Sequence, residues 1–204
     1  MEFEEIIRKR RMTRSFTSEA VDPEIQRRIL DQARRVPSAG NSQGFDVLLL
    51  EGNETSRYWD ITLPEERREN FRWQGLLRAP LMVMIWANPG AYVDRYRQSD
   101  KASTGLGEGA DAWSTPFWLV DASFMAMTLQ LAAINEGLGV LFFGMFDHAD
   151  ALADAFGVPP ERVPVGSVAL GWPDVSADEL GRSATKARRP LEDAEDKIVH
   201  RGSW

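Results

Sequence analysis

The 204-residue chain has no cysteine and only two histidines, His148 and His200. Without thiols there is neither a disulfide framework nor a thiolate-held metal. Neither histidine has ligand spacing around it, so an imidazole metal site is disfavoured too. The glycine-rich phosphate loops GxGxxG and GxxxxGK[ST] and the nucleophile turn GxSxG are also missing. No apolar run follows the N-terminal charges: Ser15 to Arg28 is polar and charged, which disfavours a secretory signal. The longest apolar stretch, Phe117 to Ile134, is interrupted by Asp121 and Gln130 and reads as a buried helix rather than a membrane span. A formal net charge of −7 argues against a general nucleic-acid binder, whose affinity comes from neutralising phosphates. The expectation is a cytoplasmic, single-domain protein without a membrane or nucleic-acid partner. If it is an enzyme, its reactive group comes from a cofactor.

What is present starts with charge in the wrong place for an acidic chain. RKRRMTRSF (8–16) gathers Arg8, Lys9, Arg10, Arg11 and Arg14, and a second basic cluster holds Arg182, Lys186, Arg188 and Arg189. Such runs are commonly solvated faces. Arginine dominates both, however, and its planar fork matches phosphate oxygens. A phosphorylated cofactor held from both chain ends would explain the two together.

Periodicity supplies the elements. A short helix is expected over 2–11. Asp22-Pro23-Glu24 starts a second, with Ile25, Ile29 and Ala33 at helical spacing until Pro37. FDVLLLE (45–51), LMVMIWA (81–87), GVLFFG (139–144) and VPVGSVALGW (163–172) read as strands. Helices are expected over 64–78 and 118–139, and another from Asp147 to Gly157. Asp121 reads as a dipole partner near its helix start. Between 87 and 116 the pattern dissolves into Gly, Ser and Asp while keeping Tyr92, Tyr96 and Trp113, the composition of a lid or insert. The order indicates an α+β or α/β layered domain with four or five strands.

Four segments in order resemble the FMN-dependent nitroreductase family: RKRRMTRSF, RVPSAGNSQGF (35–45), LQLAAINEGLGVLFFGMFD (129–147), and LGWPDV followed by TKARRPLED (185–193). The resemblance implies an α+β, three-layer nitroreductase-like fold over residues 1–204, with a mixed central sheet of four or five strands between helices. It further implies a homodimer with FMN at the interface and NAD(P)H as co-substrate. Arg10, Arg11, Met12 and Arg14 would meet the FMN phosphate and pyrimidine edge, and Lys186 and Arg188 would close on the phosphate. Pro37, Ser38, Ala39, Asn41 and Gln43 would contact the ring from the neighbouring subunit. Phe143, Gly144 and Met145 would present backbone to flavin N5, so no side chain is itself catalytic. Hydride would pass from NAD(P)H through N5 to a nitroaromatic, quinone or related acceptor, with Tyr92, Tyr96 and Trp113 over the pocket.

The motifs also depart from the family pattern. Met12 stands where a serine is usual, Gly44-Phe45 replace Pro-Trp, and Gly144 stands where many nitroreductases carry an acid. The 116–147 stretch resembles a branch that includes a flavin-fragmenting enzyme and a flavin dehalogenase. The fragmenting enzyme carries Asp and Ser where this chain has Met12 and Gly144. A flavin-binding protein without turnover, and a dimer that has lost its flavin, are the rival readings.

Overall fold

All seven residues of β2 (Leu81–Ala87) are buried, and the rest of the fold is arranged around that strand. The computed structural model describes residues 1–192, 195 and 197–203; Asp193, the last residue of the TKARRPLED motif, lies outside them. In chain order the elements are α1 (Phe3–Lys9), α2 (Pro23–Ala33), β1 (Phe45–Glu51), α3 (Asn53–Thr62), α4 (Glu65–Arg68), β2, α5 (Pro89–Tyr96), α6 (Phe117–Asn135), β3 (Gly139–Phe143), α7 (Ala149–Phe156) and β4 (Val163–Gly171).

The sheet order is β1-β2-β4-β3, with Leu48 opposite Met84, Met84 opposite Ser167 and Phe142 opposite Val168. Successive side chains of a strand point to opposite faces. Leu81, Val83 and Ile85 therefore enter one core, with α2 and α6, while Met82, Met84 and Trp86 enter a second, with Phe16, Tyr58, Trp59 and Leu152. Helices thus cover both faces, the expected three-layer α+β arrangement with four strands. Every ladder is antiparallel, where a mixed sheet was expected. The reason is topological: β4 returns from β3 and inserts between it and β2, so each neighbour runs opposed.

Other expectations need adjusting. The helix expected over 64–78 is the four-residue α4 followed by a 3-10 turn, Gln74–Arg78. Gly75 is pressed onto Ser15, where a Cβ would lie 2.1 Å from Oγ, and Phe71 and Trp73 turn toward the second core, so the backbone leaves the helical path. α3 was not foreseen; it buries Thr55, Tyr58 and Trp59 along one side. The 87–116 segment contains α5, started by the Asn88 side chain accepting from the Ala91 N–H (3.3 Å) with Pro89 in the first turn. α7 starts at Ala149 without a side-chain cap from Asp147. Among the described residues α6 alone is long and apolar enough to cross a membrane, and it lies in the first core with Ala122, Leu129 and Ala133 wholly buried.

Candidate functional site

The N-terminal basic segment is laid along the open edge of β3. The Thr13 N–H donates to Val140 O (2.8 Å), which pairs part of that edge; further on, the Phe16 N–H donates to Gly75 O (3.1 Å) and the Thr17 N–H to Trp172 O (2.9 Å). Thr13, Ser15 and Phe16 are buried, while Met12 and Arg14 stay half-exposed between them. The tail is tied to this segment by one carboxylate. Asp178, whose side chain is fully buried, accepts from the Arg14 N–H (2.7 Å) and the Ser15 N–H (3.1 Å) and pairs with Arg11 Nη2 at 2.6 Å. That clamp brings residues 180–188 opposite residues 10–14, although more than 160 positions separate them along the chain.

Between them lies a cleft of about 820 Å³, lined by Arg10, Arg11, Met12 and Arg14, by Phe71, Arg72 and Trp73, and by the tail with Arg182, Lys186 and Arg188. Arg14 donates to Met12 O (2.9 Å) and lies over the Trp73 ring at 5.1 Å; Arg72 lies over the same ring at 4.5 Å. Gly181 leaves space for the Arg14 guanidinium, since a Cβ there would come within 2.6 Å of it. Among the described residues no carboxylate lines the cleft, and Arg10, Arg182, Lys186 and Arg188 have no ion-pair partner, so the cleft is strongly positive.

Met12, Arg14, Phe71 and Trp73 also border a second cleft of about 430 Å³. Its other walls include Tyr58, Trp59, Leu141, Phe143, Gly144, Phe146 and His148, so it is mainly aromatic. Trp59 and Phe143 stack at 6.1 Å with planes 8° apart. Trp59 is 7% exposed, and its indole N–H has no acceptor among the described residues. Phe146 holds a left-handed backbone (φ 48°) with its ring 81% exposed, 3.3 Å from where a Cβ on Gly144 would sit. Met145 instead turns into the second core.

The Pro37–Gln43 segment belongs to the other face of the sheet, where Ala39 packs on the first core. Gly40, Asn41 and Gln43 are left-handed, with φ of 63°, 57° and 50°. For asparagine and glutamine this is uncommon and needs surrounding support. Several contacts supply it. Ser38 Oγ accepts from the Gln43 N–H (2.9 Å), and Arg95 Nε donates to Gly40 O (2.8 Å). Asp121 Oδ2, on α6, accepts from both the Ala39 N–H (2.8 Å) and the Tyr92 hydroxyl (2.7 Å). Asp121 is therefore a buried clamp on this loop, beyond the dipole role its position suggested. Burial, reinforced by the Asp121 hydrogen bond, pushes the Tyr92 phenol far above its ordinary pKa.

Within one chain the structure brings Arg10, Arg11, Met12, Arg14, Lys186 and Arg188 together, and places Phe143 and Gly144 in the adjoining cleft. It does not bring Pro37, Ser38, Ala39, Asn41 and Gln43 to them. Tyr92, Tyr96 and Trp113 are absent from both cleft linings. They pack on one another, Tyr96 to Trp113 at 4.7 Å and Tyr92 to Trp113 at 5.7 Å, against the Pro37–Gln43 loop. Sequence reasoning missed Trp59, Phe71, Trp73 and Phe146. The one cue for two of them was FRW (71–73), aromatics flanking an arginine inside a run read as a solvated helix.

These features define a class: a three-layer α+β domain with a cationic cleft opening onto an aromatic one, suited to a phosphorylated, flat ligand. The model of the nitroreductase family matches residues 7–172, and the chain belongs to that family of flavin-dependent oxidoreductases. It is 28% identical to a 5,6-dimethylbenzimidazole synthase of Rhodospirillum rubrum, over 89% of this chain and 87% of the relative. It is 25% identical to a 4-nitrobenzoate reductase of a Nocardioides species, over 90% and 85%. In fold it is similar to a protein of Exiguobacterium sibiricum solved in complex with FMN, with a TM-score of 0.72 at 21% identity, covering 94% of each chain.

Proposed function

We propose that the whole chain forms an FMN-dependent oxidoreductase that draws on NAD(P)H and reduces an electron-poor acceptor such as a nitroaromatic or quinone, working as a homodimer. The observation that carries this reading is the cationic cleft built from both chain ends and continuous with an aromatic one. Its residues fit the cofactor: Arg10, Lys186 and Arg188 suit a phosphate near its dianion, and the Trp73 and Phe143 rings suit a flat heterocycle. FMN held there would supply the redox chemistry that links dinucleotide and acceptor.

The chain's own residues bind, orient and tune. Arg11 is held by Asp178, so the geometry of that guanidinium is fixed in advance. A cation beside the ring's pyrimidine edge favours the reduced, anionic form. Backbone N–H groups around Gly144 need no side chain to serve as donors. The Pro37–Gln43 loop, braced by Asp121 on the opposite sheet face, is the part offered to a partner subunit's site. Exposed apolar side chains on α1 and α6 (Phe3, Ile7, Phe124 and Met127) are suited to burial in that dimer. Replacing Arg10 and Arg14 together by alanine tests the anchor: purified protein should lose most of its flavin while staying folded, and unchanged flavin content would sink the assignment.

The name of the Rhodospirillum relative favours a second reading, oxygen-driven fragmentation of the flavin. Met12 and Gly144 supply no polar group where the resemblance places Asp and Ser in the fragmenting enzyme. Incubating the reduced protein in air and assaying for 5,6-dimethylbenzimidazole separates the two; its formation would make fragmentation the function.

A further inference from the structure

From Val175 to Leu180 the tail is exposed at every residue but one: the Asp178 side chain is turned fully inward. Its Oδ1 accepts from the Arg14 and Ser15 N–H groups at 2.7 and 3.1 Å. Its Oδ2 faces Arg11 Nη2 at 2.6 Å, as an ion pair out of hydrogen-bond alignment. Desolvating a carboxylate offsets much of its Coulombic gain, so stability alone gives little reason for one here. All three partners belong to RKRRMTRSF, whose arginines line the cationic cleft, while Asp178 is not in the lining. Its charge therefore fixes Arg11 without itself facing an anion in the cleft.

Its place in the chain matters as well. Upstream, the tail is stitched to the same motif by the Thr17 N–H on Trp172 O and the Asp174 N–H on Ser15 O, both at 2.9 Å. Downstream, residues 182–192 are exposed, and Glu179 reaches Arg72 only at 3.6 Å. Asp178 is thus the buried fastening that precedes the stretch carrying Lys186 and Arg188.

Resting on the flavin-enzyme reading above, we propose that Asp178 is a positioning residue for the phosphate end of the flavin nucleotide. It fixes Arg11 and seats the 179–188 strap, so that Lys186 and Arg188 stand opposite Arg10 across the phosphate. Asp178 therefore sets the preference for FMN over riboflavin, which differs only in lacking the phosphate. The sign of the effect separates positioning from plain electrostatics. On charge alone, removing a carboxylate beside a cationic site raises the positive potential and tightens an anion. Losing the fastening does the opposite.

FMN and riboflavin are titrated by fluorescence into the full-length chain stripped of flavin, as wild type, Asp178→Asn and Asp178→Ala. Both substitutions remove the same charge, and only asparagine keeps an oxygen for the two N–H groups. Alanine should cut the FMN-to-riboflavin preference at least about tenfold by weakening FMN, with riboflavin affinity within about twofold of wild type. Asparagine should fall between alanine and wild type. FMN bound as tightly by the alanine variant as by wild type, or more tightly, overturns the proposal. So does an equal loss of both flavins, which would make Asp178 a support of the fold alone, and so does an equal loss of preference in the two variants. A wild type that binds neither flavin overturns the reading beneath, and this one with it. Limited trypsin digestion of the wild type gives a second readout: FMN, and not riboflavin, should slow cleavage after Lys186 and Arg188. Should the alanine variant fail to fold, this footprint decides, and equal protection by both flavins, or by neither, overturns the proposal.

Discussion

Asp121→Ala removes the carboxylate that joins α6, α5 and the Pro37–Gln43 loop. Asp121 is 2% exposed, and one of its oxygens takes both the Ala39 N–H and the Tyr92 hydroxyl at 2.8 and 2.7 Å. After truncation two donors are left without their acceptor, each costing about 1–3 kcal/mol when buried. Relief from desolvating the charge offsets part of this, so a net loss of about 3–4 kcal/mol is expected. For a chain of this length that corresponds to a fall in Tm on the order of 10 °C. Asp121→Asn keeps an oxygen for both donors and should cost about 1–2 kcal/mol, because the bonds lose their charge assistance. The assay is denaturant unfolding of both variants and the wild type, with flavin content measured alongside. An alanine variant within about 1 kcal/mol of wild type, or an asparagine variant as damaged as the alanine one, would refute the clamp.

Gly181→Ala should push the Arg14 guanidinium aside, since the new Cβ would lie 2.6 Å from it. Because only the end of a flexible side chain must move, Tm should hold while FMN affinity in a fluorescence titration falls several-fold; unchanged affinity would remove Arg14 from the site. Burial pushes the Tyr58 phenol up to about 12, partly offset by its bond to Ser167. A folded pKa above the unfolded value near 10 means stability is full below pH 10 and declines as pH rises toward 12, by about 2–3 kcal/mol. Unfolding midpoints across that window check this, and Tyr58→Phe should flatten the decline. Gly75→Ala should destabilise strongly, its Cβ falling 2.6 Å from the Ser15 backbone, and a neutral Tm would contradict that packing.

The strands were legible because each is a short apolar run between turn residues: β1 and β2 coincide with FDVLLLE and LMVMIWA, and β3 and β4 end one residue short of the expected bounds. α2 was legible from Asp22, whose side chain does accept from the Glu24 N–H at 2.7 Å. Asn88-Pro89 is the same kind of start signal, and α5 is obscured there by the Gly, Ser and Asp that dominate residues 98–115. The 64–78 segment misled for a tertiary reason. Its charges match a solvated helix, but contact with Ser15 and the inward turn of Phe71 and Trp73 decide its path. The cationic half of the candidate site could be read from its two arginine-rich clusters. The aromatic half could not, because Trp59, Phe71, Trp73 and Phe146 come from separate stretches of chain that only folding brings together. Nor could the sequence show that Tyr92, Tyr96 and Trp113 brace a loop, since that depends on Asp121 reaching across from α6.

The most direct measurement is the visible absorption spectrum of freshly purified protein, recorded before and after NADH or NADPH is added without oxygen. A flavin band that bleaches with either dinucleotide is the expected result, showing a bound and reducible cofactor. No flavin band, even after incubation with FMN, would contradict it and leave the paired basic clusters to some other anion.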